Sequence, residues 1–110
     1  MNRLLLIGRI VRDVELKVVG PGEDTVLNNV LAVQRPYVKD QQIKTDFIPF
    51  VAWNQRAEII ENYCEKGDLI GLDGRLQTRQ YEDKDGKKCF VTEMLIEHIQ
   101  LLPNKRKKEE

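Results

Sequence analysis

The sequence predicts an all-β domain with one helix, and three observations lead to this prediction. Apolar runs of strand length recur through most of the 110 residues, and polar or glycine-containing turns separate them. Residues 55–66 alone have the apolar period of a helix. The order is three strands, a helix and two strands, which is the order of a five-stranded antiparallel OB-fold barrel with its helix between strands 3 and 4.

The predicted strands differ in their apolar patterns. In the third strand, Phe47 and Trp53 share one face because successive side chains of a strand point to opposite sides. Pro49 lacks an amide hydrogen, so we expect a sheet edge or a bulge there. The first strand is a strongly apolar run, which is typical of a strand buried on both faces or used at a subunit contact. The predicted strands cover residues 4–11, 26–33, 47–53, 68–81 and 88–102.

The helix and the turns have recognisable boundary residues. Asn54 is of a type that caps helices, and Gly67 is a typical helix end. Gly71 and Gly74 lie inside the fourth predicted strand, where glycine lets a strand bend as a barrel closes. An Asp-Gly pair at residues 85–86 predicts a tight hairpin turn before the last strand.

Length and charge indicate one small domain. Pro103 ends the last strand, so we expect residues 1–103 to form an OB-fold domain and residues 104–110 a short basic disordered tail. The last six residues hold four bases and two acids, which leaves 14 basic and 16 acidic residues in the first 104, a net charge of −2. Nucleic-acid-binding domains are usually basic. Such a function therefore requires the basic residues to gather on one face.

Several functional classes have no support in the residue pattern. Cys64 and Cys89 lack metal-ligand spacing, and His98 is the only histidine, so we expect two reduced thiols and no metal or other cofactor. No Ser-His-Asp or Cys-His arrangement is indicated, so we expect no enzymatic activity. No segment approaches the roughly 20 apolar residues of a membrane span, and no signal peptide is recognisable. We expect a cytoplasmic protein that does not bind membranes.

Aromatic residues interleaved with arginines are the most informative feature. Phe47 and Trp53 lie about 20 Å apart along one strand face. Tyr81 shares its predicted strand face with Arg75 and Arg79. Flat rings spaced along a surface suit unpaired bases, and neighbouring arginines reach phosphates or stack in turn. A single aromatic residue in a strand also fits a core position, so the pattern alone leaves both interpretations open.

Five segments carry these features in chain order. They are NRLLLIGR at 2–9, NVLAVQRPY at 29–37, TDFIPFVAWN at 45–54, RAEIIENYCEKGD at 56–68, and GRLQTRQY at 74–81 followed by DG at 85–86. Together, from residue 2 to about residue 102, they resemble the bacterial single-stranded DNA-binding protein family, in a short form.

The resemblance implies sequence-independent binding and protection of single-stranded DNA in replication, recombination or repair. It also implies a homotetramer, with a homodimer as the fallback. The implied stacking residues are Tyr37, Phe47, Trp53 and Tyr81. The implied phosphate contacts are Arg3, Arg9, Arg35, Arg56, Arg75 and Arg79. The family's linker and acidic tail have no counterpart in residues 104–110, so we do not expect tail-mediated docking of replication and repair proteins.

Two alternatives remain open at this point. An OB-fold dimer like primosomal replication protein N is also short and also binds single strands, and the number of subunits in solution distinguishes it from a tetramer. The net charge of −2 on the first 104 residues also fits an OB module that binds a protein partner instead of DNA.

Overall fold

The structure, a computed structural model, describes residues 1–36 and 43–104. Tyr37, one of the predicted stacking residues, and residues 105–110 of the predicted tail lie outside the described part. Asn104 was assigned to the tail, but its side chain binds the backbone of Leu69. Its Oδ1 accepts from the Leu69 amide at 2.6 Å, and its Nδ2 donates to the Leu69 carbonyl at 3.1 Å. The folded part therefore includes residue 104.

The five predicted strands and the helix are confirmed. The helix, predicted to reach residue 66, ends at Tyr63. An additional strand of three residues was missed because so short a segment shows no period. Over the described residues, no helix has the length and apolar character that a membrane crossing needs. The elements are β1 (Leu4–Ile10), β2 (Lys17–Val19), β3 (Asp24–Gln34), β4 (Thr45–Trp53), α1 (Gln55–Tyr63), β5 (Leu69–Glu82) and β6 (Lys88–Leu101).

Five strands close into a barrel in the order β1-β5-β6-β4-β3, because β1 also pairs with β3, and β2 adds to the outer edge of β3. All pairings are antiparallel except β4 with β6, where Phe50 lies opposite Met94 in parallel. The prediction of a wholly antiparallel barrel is wrong at this one pairing. The reason is geometric: strand directions cannot alternate around a closed ring with an odd number of strands.

A bulge bends the long hairpin of β5 and β6. Asp73 lies opposite His98, whereas Gly74 lies opposite Ile96, so Glu97 has no residue opposite it. Such an extra residue bends the strand and increases its twist. The glycine at this position agrees with the predicted bend in the fourth strand.

The edge predicted at Pro49 is also present. Pro49 lies opposite Val30 of β3, and β6 joins the other side of β4 at Phe50 and Val51. The missing amide hydrogen of proline is therefore tolerated, since it faces an open edge.

Asn54, predicted to cap α1, has a different role. Its side chain makes no capping hydrogen bond to the helix. Its Oδ1 accepts from the Thr25 amide at 2.9 Å, and its own amide donates to the Thr25 carbonyl at 2.8 Å. The capping prediction is wrong because the Asn54 side chain is hydrogen-bonded to Thr25, which is distant in sequence. Asn54 joins the start of α1 to β3 directly after Trp53.

The core fills the barrel and continues beneath α1. Along β4, Phe50 and Ala52 are buried while Phe47 and Trp53 are exposed, so the alternation predicted for this strand is confirmed. The two exposed rings of β4 are therefore available for function. The buried cluster consists of Ile10, Leu27, Leu31, Phe50, Ala52, Ala57, Ile60, Cys64, Ile70, Leu72, Met94 and Ile96.

Candidate nucleic-acid interface

Three of the four predicted stacking residues are exposed on the barrel surface. Phe47 and Trp53 lie at opposite ends of β4, and Tyr81 lies near the end of β5. The exposed fractions are 62% for Phe47, 40% for Trp53 and 48% for Tyr81. None of the three is a core residue, so the surface interpretation left open by the sequence pattern is correct for all three.

The strand register places the three rings on one side of the sheet. In β4, Val51 points to the same side as the two rings of that strand and lies opposite Leu95 of β6. Cys89 precedes Leu95 by six residues without a register shift, so it points the same way, and it lies opposite Tyr81. We call this outward side of β3, β4, β6 and β5, carrying Phe47, Trp53 and Tyr81, the aromatic face.

Arg79 lies on the aromatic face between two partners. Its Nε donates to both carboxylate oxygens of Glu93, at 3.2 and 3.1 Å. Its guanidinium carbon lies 5.9 Å from the centre of the Tyr81 ring, within the range of a cation–π contact. Glu93 is only 4% exposed and also accepts from Nε2 of Gln77 at 2.9 Å. Arg79, which is predicted to contact a phosphate, is therefore already paired with a carboxylate of the protein itself.

A surface groove of about 290 Å³ lies between Trp53 and Arg79. Val51 and Asn28 line it from β4 and β3, and Glu93 lines it from β6. One of the proposed stacking rings thus borders a concave site that also contains a buried carboxylate.

Arg35 and Asp46 form a two-point ion pair at the base of the β3–β4 connection. The Nε and Nη2 of Arg35 donate to the two carboxylate oxygens at 3.0 and 2.9 Å. This hydrogen bonding lowers the pKa of Asp46 and raises the pKa of Arg35. Asp46 directly precedes Phe47, so it points to the other side of β4, and the pair partly neutralises a predicted phosphate contact.

The two predicted arginines of the first strand have different neighbours. Arg9 lies opposite Ala32, which lies opposite Phe47, so Arg9 borders the aromatic face. Its Nη1 donates to the Gly67 carbonyl at 3.1 Å. Arg3 instead pairs with Asp73, with its Nη2 3.0 Å from a carboxylate oxygen. Arg3 is thus held on the outward side of β5 by an ion pair.

Arg56 and Arg75 also differ. The Nε of Arg56 donates to the carbonyl of Glu97 at 2.6 Å, so this α1 side chain satisfies a backbone acceptor at the bulge. Arg75 lies opposite Leu95 on the aromatic face and is exposed. Within residues 1–36 and 43–104, Arg75 alone among the six predicted arginines makes no hydrogen bond or ion pair with the protein.

The carboxylate partners of the arginines were missed by sequence reasoning. Glu93 was not singled out from the sequence, although it lies on the same side of β6 as Leu95 and is buried. A signal existed in the two-residue spacing from Leu95, but the opposing Gln77 and Arg79 become visible only with the β5–β6 register. Within the described residues, no group of three or more His, Cys, Asp or Glu side chains could hold a metal ion.

Comparison with known proteins gives consistent results. A family model described as the single-strand binding protein family matches residues 1–102. The single-stranded DNA-binding protein of Clostridium tetani is 48% identical over 103 residues, covering 93% of this chain and 70% of that protein. Single-stranded DNA-binding protein 3 of Clostridium acetobutylicum is also 48% identical, covering 93% of this chain and 71% of that protein.

A solved structure gives the same result for the fold. The structure described as a Plasmodium falciparum SSB complex with ssDNA superposes with a TM-score of 0.76 at 26% identity, covering 87% of this chain and 86% of that one. From the family match and the identities to its relatives, this chain belongs to the single-strand binding protein family.

Proposed function

We propose that this protein binds and protects single-stranded DNA without sequence preference, and that it acts by binding and not by catalysis. The observation that carries the proposal is the presence of three exposed aromatic rings, Phe47, Trp53 and Tyr81, on one face of the barrel. The names of the relatives support it, since they are single-stranded DNA-binding proteins. Replication, recombination and repair are the processes that expose single strands, in the bacterial cytoplasm and nucleoid.

Stacking gives the proposed site its preference for single strands. In OB-fold proteins that bind single strands, each stacked base contributes about 1–3 kcal/mol, and every base has a face to stack. Duplex DNA hides its base faces between neighbouring pairs and offers mainly phosphates and groove edges. We therefore assign the stacking contacts to the three rings, and to Tyr37 from the resemblance.

Phosphate contacts come from the arginines on and around the aromatic face. Arg75 is the strongest candidate, because it is exposed and has no protein partner within the described residues. Arg9 borders the same face. Arg3, Arg35 and Arg56 are weaker candidates, since Arg3 and Arg35 are paired with carboxylates and Arg56 donates to a backbone carbonyl. Phosphate contacts make binding depend on salt, with a slope of about −0.7 per neutralised phosphate on single strands.

We further propose that the protein assembles with copies of itself, as a homotetramer with a homodimer as the fallback. Leu5 and Ile7, on the outward side of β1, are 67% and 61% exposed. Leu5 and Ile7 are two residues apart and share the outward side of β1, where they lie opposite Asp73 and Gly71 of β5. Together they form an apolar strip on the barrel surface. Apolar strips of this kind mark association surfaces.

The test is a titration of the protein with oligo(dT) and with a duplex of equal length, at several salt concentrations. We expect strong binding to oligo(dT), weak binding to the duplex, and a similar affinity for single strands of mixed sequence. Equal affinity for the two forms would contradict the proposal. Binding to neither form would favour the alternative of an OB module with a protein partner.

A further inference from the structure

The groove between Trp53 and Arg79 contains an acidic group where a DNA-binding surface would be expected to carry only basic ones. Glu93 lines this groove and is 4% exposed, so its carboxylate lies at the floor. Both carboxylate oxygens accept from Nε of Arg79, and one accepts from Nε2 of Gln77. The ion pair leaves the groove with no net charge from these two residues.

The carboxylate changes what the groove attracts. A phosphate that approached Arg79 here would also approach Glu93, and the repulsion between like charges is strong where solvent is partly excluded. A base carries no charge, and its amino groups donate hydrogen bonds that a carboxylate or the Gln77 amide oxygen accepts. Trp53 adds a ring on which a base stacks. The groove therefore suits a base and disfavours a phosphate.

We propose that Glu93 is a selectivity determinant for single strands, because it reserves this groove for a base and withholds Arg79 from phosphates. The inference rests on the proposed function and assigns a role within that site to a residue that is not itself a stacking or phosphate group. Arg79 then acts next to Tyr81 as part of the stacking surface, at 5.9 Å from the ring centre, and not as a free phosphate contact.

The direct test is Glu93→Gln, which keeps the size of the side chain and an acceptor for Arg79 but removes the charge. We expect duplex affinity at low salt to rise about two- to fivefold, the range expected for one newly available surface charge. The affinity for oligo(dC) and oligo(dA) should rise less, so the preference for single strands falls. The salt slope on single strands should steepen by up to about 0.7, one additional phosphate contact.

Glu82→Gln is the matched control. Glu82 ends β5, is exposed, and points to the side of the hairpin opposite Tyr81, since adjacent strand residues alternate. The Glu82→Gln substitution changes the net charge by the same amount as Glu93→Gln, but Glu82 does not line the groove. If both variants raise duplex affinity equally, or if Glu93→Gln keeps the full preference for single strands, the inference is wrong.

A second comparison does not require replacement of the buried residue, so it remains decisive if Glu93→Gln fails to fold. Arg75→Gln removes an exposed arginine from β5, and Arg79→Gln removes a half-exposed one. We expect Arg75→Gln to reduce the salt slope by about 0.7 and Arg79→Gln to reduce it by less than half as much. Equal reductions would overturn the inference. The titration of the wild-type protein tests the proposed function separately. If the wild-type protein does not prefer single strands to duplex, the proposed function is wrong. If it does, but the variants do not behave as expected, only the role of Glu93 is refuted.

Discussion

The carbonyl oxygen of Leu95 lies too close to Gly74 for a Cβ atom to fit there. The contact lies beside the bulge, where Gly74 is opposite Ile96, Leu95 is opposite Arg75, and Glu97 has no residue opposite it. Close approach of two backbones is one of the situations that require glycine. This contact lets the long hairpin bend while β5 pairs with β1 on its other side.

Replacement of Gly74 by alanine should therefore destabilise the barrel. We expect a loss of about 1–3 kcal/mol in the free energy of unfolding, the range for forcing an extra carbon into a packed site. Urea unfolding measures this value. Gly22→Ala is the control, because a Cβ atom there meets nothing within 4 Å. A Gly74→Ala protein as stable as Gly22→Ala would show that the bulge accepts a side chain.

Stacking on Phe47 and Trp53 predicts a loss of affinity that does not depend on salt. Phe47→Ala or Trp53→Ala should each weaken binding to oligo(dT) by about 1–3 kcal/mol at every salt concentration, with an unchanged salt slope. Trp53 is the only tryptophan, so its emission in the wild-type protein should be quenched on binding.

The control for the ring variants is Phe90→Ala. Phe90 is 70% exposed but lies opposite Gln80, on the side of the hairpin away from Tyr81. It should leave the affinity unchanged. Unquenched Trp53 emission at saturation, together with normal binding by a folded Trp53→Ala protein, would remove Trp53 from the site.

If the apolar strip of Leu5 and Ile7 on β1 joins copies of the protein, one charged residue placed in the strip should disrupt the assembly. Ile7→Lys should shift the protein to smaller species in light scattering at micromolar concentration, because a lysine placed in an apolar contact carries an unpaired charge. Val18→Lys is the control, since Val18 is 69% exposed but lies on β2. A stable monomer in the wild-type protein would contradict the assembly proposal itself.

Because Asp46 is hydrogen-bonded to Arg35, we expect the pKa of Asp46 to lie below the ordinary value of an aspartate. The hydrogen bond from Arg35 lowers the pKa of Asp46 from 3.8, so the pair contributes stability above that pH and loses it as the pH falls through the lowered value. Carboxyl chemical shifts measured by NMR should give a midpoint for Asp46 below 3.8. Arg35→Gln should move the midpoint back upward, and an unchanged midpoint would refute the pairing in solution.

Much of the fold could be predicted because strands and helices carry their period in consecutive residues. The alternation of β4 correctly placed Phe47 and Trp53 on one face and Phe50 on the other. The parallel β4–β6 pairing was missed, since direction is a property of the closed ring and not of any one strand. The Asn54 cap was wrong for a related reason, because Thr25 of β3 is brought against it by the tertiary fold.

The candidate site divides in the same way. Residue types and spacing were enough to flag Phe47, Trp53 and Tyr81 as candidate stacking residues, but their exposure and that of Arg75 were decided by the structure. The partners of the other arginines could not be predicted. Arg3 pairs with Asp73 across 70 residues of sequence, and Arg56 reaches Glu97 across 41. No local pattern links groups so far apart.

For this protein, the sequence by itself determined the order of five strands and one helix along the chain, and it selected the aromatic residues that are candidates for stacking. Only the tertiary structure decided which charges neutralise each other, and so which arginines remain available to a ligand. The physical reason is that hydrophobic periodicity is written along one segment, whereas an ion pair such as Arg79–Glu93 requires two strands in one register. The turn between β5 and β6 sets that register, and with it the charge that the aromatic face presents.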